Sequence, residues 1–165
     1  VVQYNIIWAS SELLIVFNLI FEGCTMDLRA YIRQIPDFPK EGVLFRDISP
    51  LIQNGPAFRR AIGLFTEFAA ERDVDVVIGP ESRGFIFGAP LACHLGVGFA
   101  PVRKPGRLPA KTSRMEYELE YGTDSLEIHT DAVKPGQKVL VVDDLLATGG
   151  TSLATARLVE GLGAE

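Results

Sequence analysis

The residues best placed to do chemistry lie in one run, Val139-Leu-Val-Val-Asp-Asp-Leu-Leu-Ala-Thr-Gly-Gly-Thr-Ser152. Val139 to Val142 is a short apolar, β-branched stretch of the kind that forms a buried parallel strand. Asp143 and Asp144 follow where that strand should end. Ala147 to Ser152 is small, glycine-rich and hydroxyl-rich, and Leu153, Ala154, Ala156, Leu158 and Val159 then recur at helical spacing. A strand, a permissive turn and a helix start together make an anion site. The first N–H groups of a helix lack partners within it, and its dipole favours negative charge there. Gly149 and Gly150 allow close backbone approach, and Thr148, Thr151 and Ser152 add hydroxyl donors. Two adjacent carboxylates would repel a bare phosphate, but they suit hydroxyls or a divalent metal. The run therefore calls for a ligand that combines phosphate and sugar. No Gly-Lys-Ser/Thr follows, so this is not a Walker loop, and Gly-x-Gly-x-x-Gly is absent.

The rest of the chain must position this run. Pro56 to Arg72 carries Phe58, Ile62, Phe65, Phe68 and Ala69 at three- and four-residue steps, an amphipathic helix. Residues 73–79 read as a strand, 80–84 as a turn, 84–95 as a helix and 97–102 as the next strand. Strand–loop–helix units of this kind build a parallel sheet flanked by helices, with ligands beyond the strand C-termini. Glu81, Ser82 and Arg83 should then share an edge with Asp143 to Thr151. Arg83 has two readings, a surface ion pair or a partner for pyrophosphate. Residues 103–114 are basic, broken by proline and without an acid, which reads as an irregular lid or a solvated loop. Residues 116–122 alternate acid with apolar. Strands are expected at 125–130 and 137–142, and a short helix over 27–34.

Composition sets the bounds. One domain of 165 residues with 47% hydrophobic content can bury a real core. A net charge of −5 argues against a general nucleic-acid binder. Cys24 and Cys93 have no metal spacing, and a reducing compartment is the simpler reading. Residues 1–25 are apolar without Lys or Arg. Their apolar run is too short to span a bilayer, and they lack the basic start of a secretory signal.

The run at 139–151 resembles the phosphoribosyl-pyrophosphate (PRPP) motif of the type I phosphoribosyltransferases, and its details resemble the adenine-specific members. Pro36-Asp-Phe-Pro with Gly42-Val-Leu-Phe-Arg-Asp-Ile-Ser-Pro50, Ser82-Arg-Gly-Phe85, Arg103-Lys-Pro-Gly-Arg-Leu-Pro109 and Leu119-Glu-Tyr-Gly122 extend the resemblance. Arg107 stands where many family members carry Lys.

The resemblance implies a Rossmann-like parallel sheet flanked by helices, with a flexible hood loop. It implies conversion of adenine and PRPP to AMP and pyrophosphate in purine salvage. Mg²⁺ would be carried by the substrate, with no direct protein ligands. Ala147, Thr148, Gly149, Gly150 and Thr151 would cradle the 5′-phosphate. Asp143 and Asp144 would face the ribose, and Glu81, Ser82, Arg83, Lys104 and Arg107 would attend pyrophosphate. Leu44, Phe45 and Arg46 would hold adenine, although on residue chemistry alone Phe45 reads as a core aromatic. Glu120 would exchange a proton with the purine, unless it is one of several alternating acids on a solvated strand. The Glu81–Ser82 peptide would be cis.

The family pattern also implies a cytoplasmic homodimer, with no nucleic-acid or membrane partner. Met26 resembles the usual family start, so residues 1–25 are expected to lie outside the phosphoribosyltransferase domain of residues 26–165. Family members continue past the last helix, so C-terminal strands are expected to be missing. Two alternatives compete: a PRPP-sensing regulator of the same fold without catalysis, and a phospho-receiver domain, whose first strand also ends in paired acids. A receiver would place that strand at its N-terminus and would not follow it with Thr-Gly-Gly-Thr-Ser.

Overall fold

The computed structural model describes the backbone of residues 8–9 and 13–16, and residues 26–118, 123–146 and 149–165. Glu120, Ala147 and Thr148 lie outside the described residues, as does most of the apolar N-terminal segment. By its contacts the chain divides into two compact units, residues 19–65 and residues 1–18 with 66–165.

In the larger unit, the apolar runs become a parallel sheet. Trp8–Ala9 (β1) and Leu13–Val16 (β2) form an antiparallel pair, and β2 runs parallel to Val139–Val142 (β9). Strand β9 also pairs with Val76–Pro80 (β5), which pairs with Gly98–Val102 (β6), so the order is β1-β2-β9-β5-β6. Every residue of β5 and β9 is buried, as expected for strands covered on both faces. Helices Arg83–Leu95 (α3) and Gly150–Gly161 (α4) follow β5 and β9. The core joins Ile78, Val102, Val141, Leu158 and Val159 to Leu126 and Ile128 of a hairpin, Thr112–Glu118 (β7) with Thr123–His129 (β8).

The expected irregular basic stretch is therefore shorter than its composition suggests. From Thr112 onward it is a strand, because β8 offers a seven-residue antiparallel ladder from Thr112↔His129 to Glu118↔Thr123.

The smaller unit holds Arg33–Ile35 (β3) paired antiparallel with Phe45–Asp47 (β4), and the short helix Ser49–Gln53 (α1). Asp37, at φ 57°, accepts from the Gly42 N–H at 2.8 Å and closes the loop between β3 and β4. An eight-residue helix over 27–34 does not form. Leu28–Tyr31 makes one 3-10 turn, capped by Asp27, and Arg33 then enters β3. So short a helix is marginal by itself, and pairing with β4 captures its second half. The amphipathic helix forms as Gly55–Ala70 (α2) and carries the chain from one unit into the other.

The free edge of β9 is covered twice. Glu165 accepts from the Val139 N–H at 2.9 Å and donates to the Gln137 carbonyl at 2.8 Å, and β2 pairs with Leu140 to Val142 beyond it. Deleting residues 1–25 would bare the backbone of β9 beside Asp143, and unpaired edges are costly or sticky. The deletion is expected to lower Tm while leaving kcat per folded molecule unchanged. Thermal melts paired with active-site titration would check this, and an unaltered Tm would show that β2 contributes nothing to the sheet.

Candidate active site

The site forms where β5, β6 and β9 end together. Glu81 donates its backbone N–H to the Val102 carbonyl at 2.8 Å, so the turn after β5 is tied to the end of β6. The Glu81–Ser82 peptide is cis, as the resemblance implied. The first turn of α3 packs tightly on both strands. A Cβ on Gly84 would stand 2.9 Å from the Val142 carbonyl oxygen, and one on Gly79 would stand 2.8 Å from the Gly84 oxygen. Only hydrogen fits at these crossings, and that closeness brings Arg83 over the end of β9.

Arg83 Nε lies 2.7 Å from Asp144 Oδ2, an ion pair in which the Asp144 side chain is only 6% exposed. Arg83 is thus ion-paired with a buried carboxylate, and the pair faces a cavity. That cavity, of about 370 Å³, is lined by Glu81, Ser82, Arg83, Asp143, Asp144, Leu145, Leu146, Gly149, Gly150, Thr151 and Ser152. The structure brings together the two sequence segments expected to share an edge.

Asp143 accepts the Asp144 N–H on Oδ1 at 2.9 Å. Burial is the main influence on its carboxyl and raises it to about 7. The Asp144 N–H opposes that rise, the neighbouring Asp144 charge adds to it, and Arg83 offsets part of it. Asp143 thus sits in a low-dielectric recess and takes up a proton near neutrality.

Helix α4 begins with Gly149 at φ 82° as its N-cap, with no side-chain capping bond. The left-handed residue is Gly149; Gly150 is already helical. First-turn N–H groups without a side-chain cap suit an anionic ligand. Ser152 is buried, and Thr151 lines the cavity from the same turn.

The flanking cations are organised by acids. Arg103 Nε donates to Glu81 Oε2 at 2.8 Å, and its Nη1 donates to the Arg107 carbonyl at 3.1 Å. Glu81 thus braces the start of the basic segment. Lys104 is ion-paired with Asp124. Lys104 and Arg107 do not themselves line the cavity.

In the smaller unit Phe45 packs edge-on against Phe38, with centroids 5.1 Å apart, while Leu44 is 51% exposed and Arg46 is exposed beside them. Neither aromatic belongs to a buried core, so the core reading of Phe45 loses its support. Sequence reasoning missed Tyr117 and Asp124 as site-shaping residues. The alternation of Tyr117 with acids hinted that it points inward, but its cross-strand partner could not be read from it.

Residues 52–165 match the family model of the phosphoribosyl transferase domain. The adenine phosphoribosyltransferase of Acaryochloris marina is 64% identical over 137 residues, covering 83% of this chain and 81% of that protein. The chain belongs to the adenine phosphoribosyltransferase family. Solved structures of that family share its fold. The enzyme from Thermoanaerobacter pseudethanolicus superposes with a TM-score of 0.81 at 59% identity, over 83% of this chain and 80% of that one. The Saccharomyces cerevisiae adenine phosphoribosyltransferase, crystallised with adenine and an imino-altritol bisphosphate, gives a TM-score of 0.80 at 45% identity, over 84% and 81%. The parallel sheet of the phosphoribosyltransferase fold is thus established. A receiver domain is excluded, since β9 follows β5 and β6 in sequence, whereas a receiver would open with that strand.

Proposed function

We propose that this chain is a pentosyltransferase that converts adenine and PRPP to AMP and pyrophosphate in purine salvage. The observation that carries the reading is the cavity in which an Arg83–Asp144 pair, a protonatable Asp143 and the first turn of α4 face one another. The high identity to adenine phosphoribosyltransferases supports catalysis over a non-catalytic sensor.

PRPP would enter with its 5′-phosphate on residues 147–151 and its ribose hydroxyls on Asp143 and Asp144. Its pyrophosphate would meet Arg83, Lys104 and Arg107. As the bond from C1′ to the pyrophosphate oxygen breaks, the leaving group takes the electron pair and positive charge develops on the ribose. Ionised carboxylates beside that ring favour the developing charge, and the preorganised cations favour the leaving group. Adenine N9 then bonds to C1′ and gives up its proton, with Glu120 as the group that exchanges a proton at the purine edge. Leu44, Phe45 and Arg46 would hold the base.

The site suits Mg²⁺ carried on pyrophosphate. Its donors are hard carboxylate oxygens, the ligand type that Mg²⁺ takes. Such an ion would supply charge neutralisation on the leaving group. Small molecules are the partners of this reading, together with a second copy of the chain as a homodimer in the cytoplasm. Among the described residues no helix is long and apolar enough to cross a membrane.

Two experiments test the assignment. Product formation should occur with adenine and not with hypoxanthine or guanine. Buried donors and acceptors set for adenine would face mismatched groups on a 6-oxopurine, at a cost of about 1–3 kcal/mol each. Comparable turnover of hypoxanthine would refute the specificity. Glu120→Leu should lower kcat by ~10²-fold or more, the scale of general acid–base assistance, with the KM for PRPP nearly unchanged. Glu118→Leu is the matched control. If the two variants behave alike, the proton role lies elsewhere.

A further inference from the structure

Asp124 sits on β8, opposite Tyr117 of β7 in the cross-strand register. Both of its carboxylate oxygens are used. Oδ1 accepts the Ser125 N–H at 2.8 Å, while Oδ2 is paired with Lys104 Nζ and accepts the Tyr117 hydroxyl at 3.2 Å. The Tyr117 oxygen in turn lies 3.4 Å from Thr151 Oγ1, on the first turn of α4. Lys104 also lies 6.0 Å from the centre of the Tyr117 ring. One carboxylate therefore reaches a cation of the basic segment directly and a hydroxyl of the phosphate cradle through one phenol.

We propose that Asp124 is a positioning residue that preorganises both ends of the PRPP site, holding Lys104 for pyrophosphate directly and Thr151 for the 5′-phosphate through Tyr117. The inference rests on the roles given above to Lys104 and Thr151.

The physical basis is entropy spent before the ligand arrives. A lysine side chain has many rotamers, and immobilising it on binding weakens affinity. Here the ammonium is already held, and two of its three N–H donors stay available for a second anion. Burial disfavours charge on both partners, yet their mutual bond and charge, together with Tyr117 and the Ser125 N–H, outweigh it, so Lys104 is raised and Asp124 lowered. The pair is thus ionised at neutral pH.

At the other end, Thr151 has one hydroxyl proton, which a phosphate needs. With its own proton on Asp124, the Tyr117 oxygen accepts from Thr151 Oγ1 and fixes that side chain, and the Thr151 proton turns to the phosphate when it arrives without moving the side chain. Tyr117 is packed against the core, so the phenol is a fixed post.

The test uses the full chain and two probes titrated separately by calorimetry, ribose 5-phosphate and magnesium pyrophosphate. Tyr117→Phe should weaken ribose 5-phosphate about five-fold, the scale of one net hydrogen bond, and leave pyrophosphate unchanged. Asp124→Ala should weaken both, pyrophosphate by roughly three- to ten-fold. Asp124→Asn keeps an acceptor for Tyr117 but no charge, so it should restore ribose 5-phosphate and not pyrophosphate. In the Tyr117→Phe background, Asp124→Ala should add no loss for ribose 5-phosphate and its full loss for pyrophosphate.

A merely structural role would instead weaken both probes in every variant. Equal loss across variants, or tighter pyrophosphate binding in Asp124→Ala, would overturn the inference while leaving the assigned reaction standing. If the wild-type chain bound neither probe, the assigned reaction and this inference would fall together.

Discussion

Alanine at Gly84 is expected to cut kcat/KM for PRPP by ~10²-fold or more, the scale of an ångström-level misplacement of catalytic groups. The Cβ would meet Pro80 Cδ at 2.8 Å and the Val142 carbonyl oxygen at 2.9 Å. One contact is with a proline ring and the other with backbone, so neither can swing aside. The first turn of α3 must back away from β9. Arg83, the neighbouring residue, would leave Asp144, and Val142 leads directly into Asp143. The overpacking itself should cost about 1–3 kcal/mol of stability, read as a lowered Tm. Gly98→Ala is the control, because a Cβ there meets nothing within 4 Å. Steady-state kinetics at saturating adenine, with melting curves for both variants, decide the matter. A Gly84→Ala enzyme with wild-type kcat/KM would mean that the close crossing does not position the site.

Asp143→Asn is expected to separate stability from activity. In the unfolded chain this carboxyl titrates at its ordinary value of 3.8, and in the folded chain burial holds it protonated up to about 7. Between those values the folded state binds more protons than the unfolded state, so this group makes stability fall as pH rises. Its contribution is intact below pH 4 and lost above pH 7. Asparagine resembles the protonated acid and keeps the acceptor for the Asp144 N–H. The variant should therefore match wild type near pH 4 and exceed it at pH 8 by on the order of 2–4 kcal/mol.

Activity should move the other way. Losing a carboxylate beside the developing ribose charge should lower kcat by ~10²-fold or more. The wild-type profile of kcat/KM for PRPP should rise to a plateau through pH 7 as Asp143 ionises in the free enzyme, and the variant should lack that limb. Urea denaturation and kinetics across pH 4–8 would measure both. Equal stability at pH 8 would show that the acid is not held protonated in the fold.

Much of this architecture was legible from residue order. The β-branched run before Asp143, the acid pair and the glycine-rich turn specify strand, edge and helix start by local preferences alone, and β9 and α4 formed where those preferences lie. The helix of residues 55–70 followed from its apolar spacing, and the two segments at 81–83 and 143–151 were expected on one edge because parallel units place them there.

Local preference failed where pairing outweighed it. The second half of the expected helix over 27–34 gave way to β3 because β4 offered a ladder, and the basic stretch became strand at Thr112, where β8 offered one. No local signal could place Leu13–Val16 on the edge of β9, since an apolar strand fits any open edge of matching direction.

The chemistry divides the same way. The sequence by itself determined which groups are present: paired acids, an arginine at a strand end, a hydroxyl-rich helix start and a basic flanking segment. Only tertiary structure decided how they are tuned. The contact of Gly79 with Gly84 sets the distance from Arg83 to Asp144, burial sets the proton affinity of Asp143, and the β7–β8 register puts Asp124 against Tyr117 and Lys104. Distance and desolvation arise between segments remote in the chain, and no pattern within one segment encodes them.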